Sequence, residues 1–208
     1  MSNDLQITLV DKKHEKLSVA LVGDEKSGKS SIISSLCYKR IDSLYTSTIG
    51  VQFLIRNMFE TKYEIFDLSG SDRFSAIIHS YMRNRDVILL CVDLSSIDTI
   101  DSSIEKWMYK INKFCKNSVV VFVGCKTDVK MLDVNTIINT KINKYNSSNI
   151  NYIEVSALKN DNIENLFKLI KNLKEEKEQK EEKEEKKKKK KIFHVVVFCD
   201  IRKRKFKV

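Results

Sequence analysis

The sequence predicts a doubly wound α/β fold: six strands in a mostly parallel sheet, with helices on both faces. Three observations lead there. Short continuous apolar runs alternate with stretches of helical periodicity. A glycine-containing loop stands directly between the first apolar run and the first helix. The chain has 208 residues, 42% of them apolar, which is enough for one such domain and a tail.

Residues 17–22 (Leu-Ser-Val-Ala-Leu-Val) read as a buried first strand, followed by the loop and by a helix over about 29–37. Residues 51–59 and 63–67 read as a strand pair with a tight turn near Glu60-Thr61-Lys62. Residues 87–92 and 119–123 are unbroken apolar runs, the pattern of central parallel strands covered on both faces. Between them Ile104, Trp107, Met108 and Ile111 recur at helical spacing. Asn151–Val155 reads as the last strand, and Ile163, Leu166, Phe167 and Ile170 as the apolar stripe of the last helix. In a fold of this kind ligands bind where the loops leave the carboxyl ends of the strands.

The formal net charge of +10 is unevenly placed. From residue 171 onward there are 16 Lys/Arg and 8 Asp/Glu, leaving 22 and 20 for residues 1–170. The body is therefore close to neutral, and the tail holds the excess. Four segments follow: an N-terminal extension 1–16, a globular domain 17–173, a Glu/Lys low-complexity segment 174–191 and an apolar and basic tail 192–208. Proline is absent, which removes any Pro-rich linker. The five cysteines are scattered without a CxxC pair, so reduced thiols are expected rather than a zinc site or a disulfide framework. No run approaches the ~18 apolar residues of a membrane span. The charged first 15 residues do not form a signal peptide, and Ser2 excludes N-myristoylation. A cytoplasmic protein is expected, peripheral on endomembranes at most.

Gly23-Asp24-Glu25-Lys26-Ser27-Gly28-Lys29-Ser30 fits GxxxxGK[ST] in the strand–loop–helix context that gives this pattern its specificity. The loop's N–H groups, the helix N-terminus behind them and Ser31 in its first turn make a donor surface for phosphate. Lys29 brings a charge to the β- and γ-phosphates, and the Ser30 hydroxyl is a hard oxygen ligand for Mg²⁺. A P-loop NTPase fold follows. Asp67-Leu-Ser-Gly70, at a strand end, places a carboxylate and a glycine near the γ-phosphate. Cys125-Lys126-Thr127-Asp128 and Ser156-Ala157-Leu158 follow the strands ending at Val123 and Val155. An Asp can accept from the N1–H and exocyclic amine of guanine, which adenine does not offer, so Asp128 favours GTP/GDP over ATP.

The order and spacing of these motifs resemble the Ras superfamily, and within it the Rab branch, over roughly residues 17–170. Thr48-Ile-Gly-Val-Gln-Phe53 resembles Rab switch I, with Gln52 in place of Asp. Asp67-Leu-Ser-Gly-Ser-Asp-Arg-Phe74 and Ser80-Tyr-Met-Arg83 resemble the start and end of switch II, and residues 90–94 the strand after it. The resemblance implies a GTP/GDP switch, with Ser30, Thr48 and Asp67 holding Mg²⁺ and the Gly70 N–H sensing the γ-phosphate. It also implies effector, exchange-factor and GTPase-activating partners at Phe53, Phe66 and Tyr81, Phe66 standing for Trp, and a role in vesicle trafficking.

Departures from the family pattern concern chemistry. Ser71 stands where the water-orienting Gln is usual, and a hydroxyl on so short a side chain does not reach as far. Catalysis would rest on Lys29, Gly70 and Ser71 and be slow. Glu25 and Lys26 add bulk and charge to a loop usually built of small residues. Cys125 replaces Asn, a poorer hydrogen-bonding partner. Ile41 stands where an aromatic often packs on the base, Leu158 replaces Lys, and the hairpin before Asp67 is short. The alternative is a non-hydrolysing pseudo-GTPase, a binding module loaded with nucleotide or empty. An ATP-dependent enzyme comes third.

Three readings stay open at the tail, where Cys199 makes no prenylation motif. Lys186 to Lys191 and the closing basic residues would be drawn to anionic lipid, with residues 192–199 inserted and Cys199 acylated. Alternatively the tail is a solvated charge run, self-repelling and disordered, with a loose β-prone segment. The third reading is that residues after about 191 reflect an error in the coding sequence. No aromatic platform accompanies the Lys run, so no nucleic-acid partner is expected.

Overall fold

The computed structural model describes residues 15–39, 47–131, 134–145 and 150–205, with side chains described through residue 187. One sheet holds six strands: β1 Glu15–Val22, β2 Val51–Met58, β3 Thr61–Leu68, β4 Val87–Asp93, β5 Val119–Cys125 and β6 Asn151–Val155. Their order is β2-β3-β1-β4-β5-β6, and every neighbouring pair is parallel except β2 with β3. The helices are α1 Lys29–Tyr38, α2 Ser75–Met82, α3 Ile97–Phe114, α4 Val134–Tyr145 and α5 Ile163–Lys205. The predicted mostly parallel, doubly wound sheet is the one observed.

Burial explains the composition of the strands. In β4 every residue from Val87 to Val92 is buried, and in β5 every residue from Val120 to Cys125, as a parallel sheet covered on both faces requires. The edge strand β2 instead alternates between half-buried and exposed positions. On α3 the buried side chains Ile100, Ser103, Ile104, Trp107, Met108 and Ile111 recur every three or four residues and make one stripe. Chain direction then sets the site: β1, β3, β4, β5 and β6 all run the same way, so the loops after them share one edge.

Three features differ from the sequence expectation. The β2–β3 turn is Phe59-Glu60, not Glu60–Lys62, because Met58 already pairs with Thr61. Both turn residues have φ near +50° to +60°. A two-residue turn of that hand follows the twist of the strands, and this outweighs the reluctance of Phe and Glu to adopt it. Helices α2 and α4 were not foreseen, although Ile137, Ile138, Lys141 and Ile142 carry helical spacing. Finally, the backbone is helical through the whole Lys run, which was expected to be disordered, and through the segment expected to be β-prone. Lys and Glu are good helix formers, and Lys171–Glu175, Lys174–Glu178, Lys177–Glu181 and Glu182–Lys186 are i,i+4 ion pairs leading into it.

By contact density the chain divides between Leu166 and Phe167 into two compact units. The first carries the sheet and every loop discussed below. The second is the helical stretch with the Glu/Lys pairs. Among the described residues no helix is long and apolar enough to cross a membrane.

Candidate functional site

The loop between β1 and α1 is shaped by glycines and tied down by one lysine. Gly23 has φ +144°, and a Cβ there would stand 2.3 Å from the Cys91 carbonyl oxygen. Gly28 has φ +102°, with Cys125 Cβ 3.0 Å from the place its own Cβ would take. The exposed Lys26 holds a positive φ of 62°, where Gly is the easy residue. Inside the loop Lys29 Nζ donates to the Gly23 and Asp24 carbonyls at 2.9 and 2.7 Å and reaches Ser27 Oγ at 3.4 Å. Burial draws the Lys29 pKa below the usual lysine value, against the opposing influence of Cys91 and Asp67. Glu25 and Lys26 are both exposed. Their charges leave the loop interior to the backbone and to Lys29.

Three hard oxygen donors meet beside this loop. Ser30 Oγ donates to Asp67 Oδ2 at 2.6 Å and lies 3.0 Å from Thr48 Oγ1, and Thr48 Oγ1 donates to the same carboxylate oxygen at 3.3 Å. Asp67 is fully buried. Its other oxygen, Oδ1, has no hydrogen-bond partner among the described residues. Burial raises the Asp67 pKa, and the Ser30 hydroxyl, Lys29 and Thr48 offset this only in part. A buried carboxylate with an orphaned oxygen next to two hydroxyls suits a small divalent cation such as Mg²⁺. Thr48 is held there because Ser69 N donates to Gly50 O at 2.9 Å, pinning the segment before β2 to the loop after β3.

That second loop lies directly on the first. A Cβ at Gly70 would come within 2.2 Å of Glu25 N and 2.4 Å of the Asp24 carbonyl carbon, so only glycine allows this approach. Ser71 follows, its N–H donating to Ser69 Oγ at 3.3 Å and its hydroxyl receiving Arg73 Nε at 3.5 Å. Its short side chain is thus engaged within its own turn.

A cavity of about 220 Å³ lies at the carboxyl ends of β5 and β6. Gly28, Ser31, Cys125, Lys126, Asp128, Ala157 and Leu158 line it, as the motifs predicted. Ile32 and Val155 complete its wall, and neither was foreseen. Asp128 Oδ1 accepts from Ser156 Oγ at 2.5 Å, and that hydroxyl accepts from Lys159 N, so Ser156 braces the carboxylate rather than facing the cavity alone. Lys126, at φ +63°, donates to Asp93 Oδ2 at 2.5 Å. Asp93 went unrecognised, though an Asp at the carboxyl end of a central strand is a signal in this fold. Cys125 is buried, and its thiol donates weakly to Val123 O at 3.6 Å. Ile41 lies outside the described residues.

A row of three aromatic rings stands on the β2–β3 face. Phe53 and Phe66 have centroids 4.9 Å apart, and Phe66 and Tyr81 6.0 Å. Phe66 is buried, while Phe53 and Tyr81 are 51% and 42% exposed.

A parallel sheet with a glycine-and-lysine loop after its first strand, and a carboxylate ending the strand beside it, defines the class of P-loop nucleotide-binding proteins. A sequence model of the Ras family matches residues 18–175, and the chain belongs to the Ras family of small GTPases. Among curated relatives, the Rho-related GTP-binding protein RhoE of Homo sapiens is 27% identical over 71% of this chain and 66% of its own length. The Ras-related protein Rab-1C of Dictyostelium discoideum is 32% identical over 71% of this chain and 75% of its own. The Rho-related GTP-binding protein RhoD of Homo sapiens is 29% identical over 55% and 56%. The chain thus spans just under two thirds of the RhoE relative.

Proposed function

We propose that residues 17–173 form a guanine-nucleotide switch that binds GTP and GDP with Mg²⁺, hydrolyses GTP slowly and signals through its two switch segments. Support comes chiefly from one observation, the meeting of Ser30, Thr48 and Asp67 beside the Lys29 loop, with Asp67 Oδ1 buried and unpaired. Ser30, Thr48 and Asp67 would hold Mg²⁺, which when bound supplies positive charge against the phosphate oxygens. Residues 23–31 cradle the phosphates with backbone N–H groups, and Lys29 leaves its loop carbonyls to pair with them. The Gly70 N–H, held against the loop, reports whether a γ-phosphate is present. Asp128, oriented by Ser156, selects guanine in the cavity that Ala157, Leu158, Lys126 and Cys125 help to line.

Slow hydrolysis follows from Ser71, whose hydroxyl is engaged by Arg73 and which has no side-chain reach toward an attacking water. The same observation favours a second reading, a pseudo-GTPase that holds nucleotide without turning it over. Assignment to the Rab branch, with effector, exchange-factor and GTPase-activating partners on Phe53, Phe66 and Tyr81, draws on the Rab-1C likeness and the exposed aromatic row. From that branch follow vesicle trafficking and a peripheral place on endomembranes, with the basic tail drawn to anionic lipid.

The test is to purify the full chain, identify the released nucleotide by chromatography, and follow added GTP over hours. Guanine nucleotide with slow turnover is expected, and Ser71→Gln should speed hydrolysis about tenfold. Rapid turnover in the unmodified chain would sink the hydrolysis claim. No guanine nucleotide at any Mg²⁺ concentration would sink the switch itself. A tagged chain that stays diffuse in either nucleotide state would remove the trafficking assignment.

A further inference from the structure

Helix α1 forms one wall of the cavity, and the loop after β6 forms part of another. Gly28, Ser31 and Ile32 come from the start of the helix, Ala157 and Leu158 from the loop. The buried residues of α1 are Lys29, Ile32 and Ser35, at spacings of three. Ser35 thus puts a hydroxyl in the stripe that helix packing reserves for apolar side chains, and it is fully buried. A buried hydroxyl needs a partner. The partner lies 125 positions away: Ser35 Oγ donates to Asn160 Oδ1 at 2.9 Å.

Asn160 belongs to the loop whose Ser156, Ala157 and Leu158 are proposed to serve the base. Its own N–H donates to Ala157 O at 3.2 Å, closing the turn over Leu158 and Lys159. The ends of the loop are pinned by Ser156 N on Asp161 O and Asp161 N on Ser156 O, at 3.2 and 2.8 Å. From that closed loop Ser156 Oγ holds Asp128, and Ala157 and Leu158 line the cavity. Asn160 sits at φ +53°, a backbone that Asn adopts more readily than most residues. A side-chain bond therefore joins the helix that begins at the phosphate site to the loop at the base.

We infer that Ser35 and Asn160 are positioning residues: their hydrogen bond fixes the loop 156–161 against α1 and so sets how long a guanine nucleotide stays in the cavity. Neither residue lines the cavity itself. Without the bond the loop can draw away from α1, taking Ala157 and Leu158 from the base and loosening the hold of Ser156 on Asp128. The phosphate cradle, built from backbone ahead of Ser35, keeps its grip. The inference rests on the guanine-switch reading for its ligand, but not for the tie between loop and helix.

Release of a fluorescent GDP from the full chain tests it, beside competition by pyrophosphate, which reads only the cradle. Ser35→Ala and Asn160→Gly each remove one partner, and glycine takes a positive φ without strain. Each should speed GDP release about fivefold, the value of one lost hydrogen bond, with pyrophosphate affinity unchanged. The double variant should release no faster than the faster single one, because both lose the same bond. Asn160→Asp keeps an acceptor for the Ser35 hydroxyl and should bring release back to within about twofold of the wild type. Unchanged release in both single variants would overturn the inference. So would GDP and pyrophosphate weakening together, which would make Ser35 a packing residue of α1 alone. If Ser35→Ala does not fold, the two substitutions at the half-buried Asn160 still decide the matter. If the chain binds no guanine nucleotide, the switch reading has failed, and amide exchange over residues 157–161 in the same variants judges the tie: faster exchange supports it, equal exchange refutes it.

Discussion

At the phosphate end of the site three glycines stand where no side chain fits, whereas at the base end the cavity is shaped by which side chains happen to be there. Gly23, Gly28 and Gly70 would each bring a Cβ to 3.0 Å or less from a neighbouring atom. Substituting any of them disturbs the meeting of β1, β4 and the loops. Cys125, Lys126, Asp128 and Leu158 line the other end with their side chains. The difference teaches that a backbone-built cradle is fixed by the fold itself, while a side-chain-built pocket can change in affinity with the fold intact. Glu25 and Lys26 fit this picture, since both departures occur at exposed loop positions.

The largest effect expected from this contrast is at Asp128. Asp128→Asn removes the acceptor for guanine N1–H and the exocyclic amine and should reduce guanine affinity on the order of 10⁴-fold. Its amide oxygen can still accept from Ser156, so the melting temperature without nucleotide should hardly move. Equilibrium binding of GDP and a thermal melt, read together, check both halves. A melt lowered by ten degrees would break the claim that the base end is independent of the fold.

Gly23→Ala should do the reverse. Its Cβ would press to 2.3 Å on the Cys91 carbonyl at a φ of +144°, and relieving this should cost about 3 kcal/mol of stability. A urea titration measures it. A loss below about 1 kcal/mol would mean that β4 yields easily and that the cradle is less backbone-dictated than argued.

The two ends also differed in how much could be read from the sequence. The phosphate loop is local, eight consecutive residues between a strand and a helix, so its pattern announced it. The central strands β1, β4 and β5 were legible because apolar runs buried on both faces have no polar alternation to confuse them. What stayed hidden was made by distant partners. Lys126 on Asp93 and Lys106 between Asp24 and Asp72 join residues 33 to 82 positions apart, with no periodic signal to mark them. The helix over the Lys run was misjudged because self-repulsion was weighed above propensity, although the i,i+4 pairs before it were visible.

A smaller effect, again at the phosphate end, is expected from Asp67→Asn. The buried carboxylate has one orphaned oxygen, so neutralising it should stabilise the nucleotide-free protein by about 1 kcal/mol, a rise of roughly 2–4 °C in the melt. Mg²⁺-dependent nucleotide retention should fall at the same time, because a hard anionic ligand is lost. A variant that lost stability without nucleotide would show that Asp67 holds the fold together through Ser30 and Thr48 rather than waiting for a cation.

The smallest effect, and the one that most sharpens the contrast, is expected at Cys125. Its thiol is buried, lies 3.6 Å from Val123 O and hydrogen-bonds the Cys91 thiol, and its Cβ sits 3.0 Å from where a Gly28 side chain would begin. An amide at this position could donate to the strand carbonyl or to the base edge more strongly than sulfur does. Cys125→Asn should therefore slow GDP release about threefold, the value of one improved hydrogen bond at the base. Competition by pyrophosphate, which reads only the cradle, should be unchanged. If release instead quickens, the pocket has been refitted around the thiol. Base and phosphate ends would then have been tuned together through the contact with Gly28, and the division between backbone-built and side-chain-built halves would no longer hold at that point.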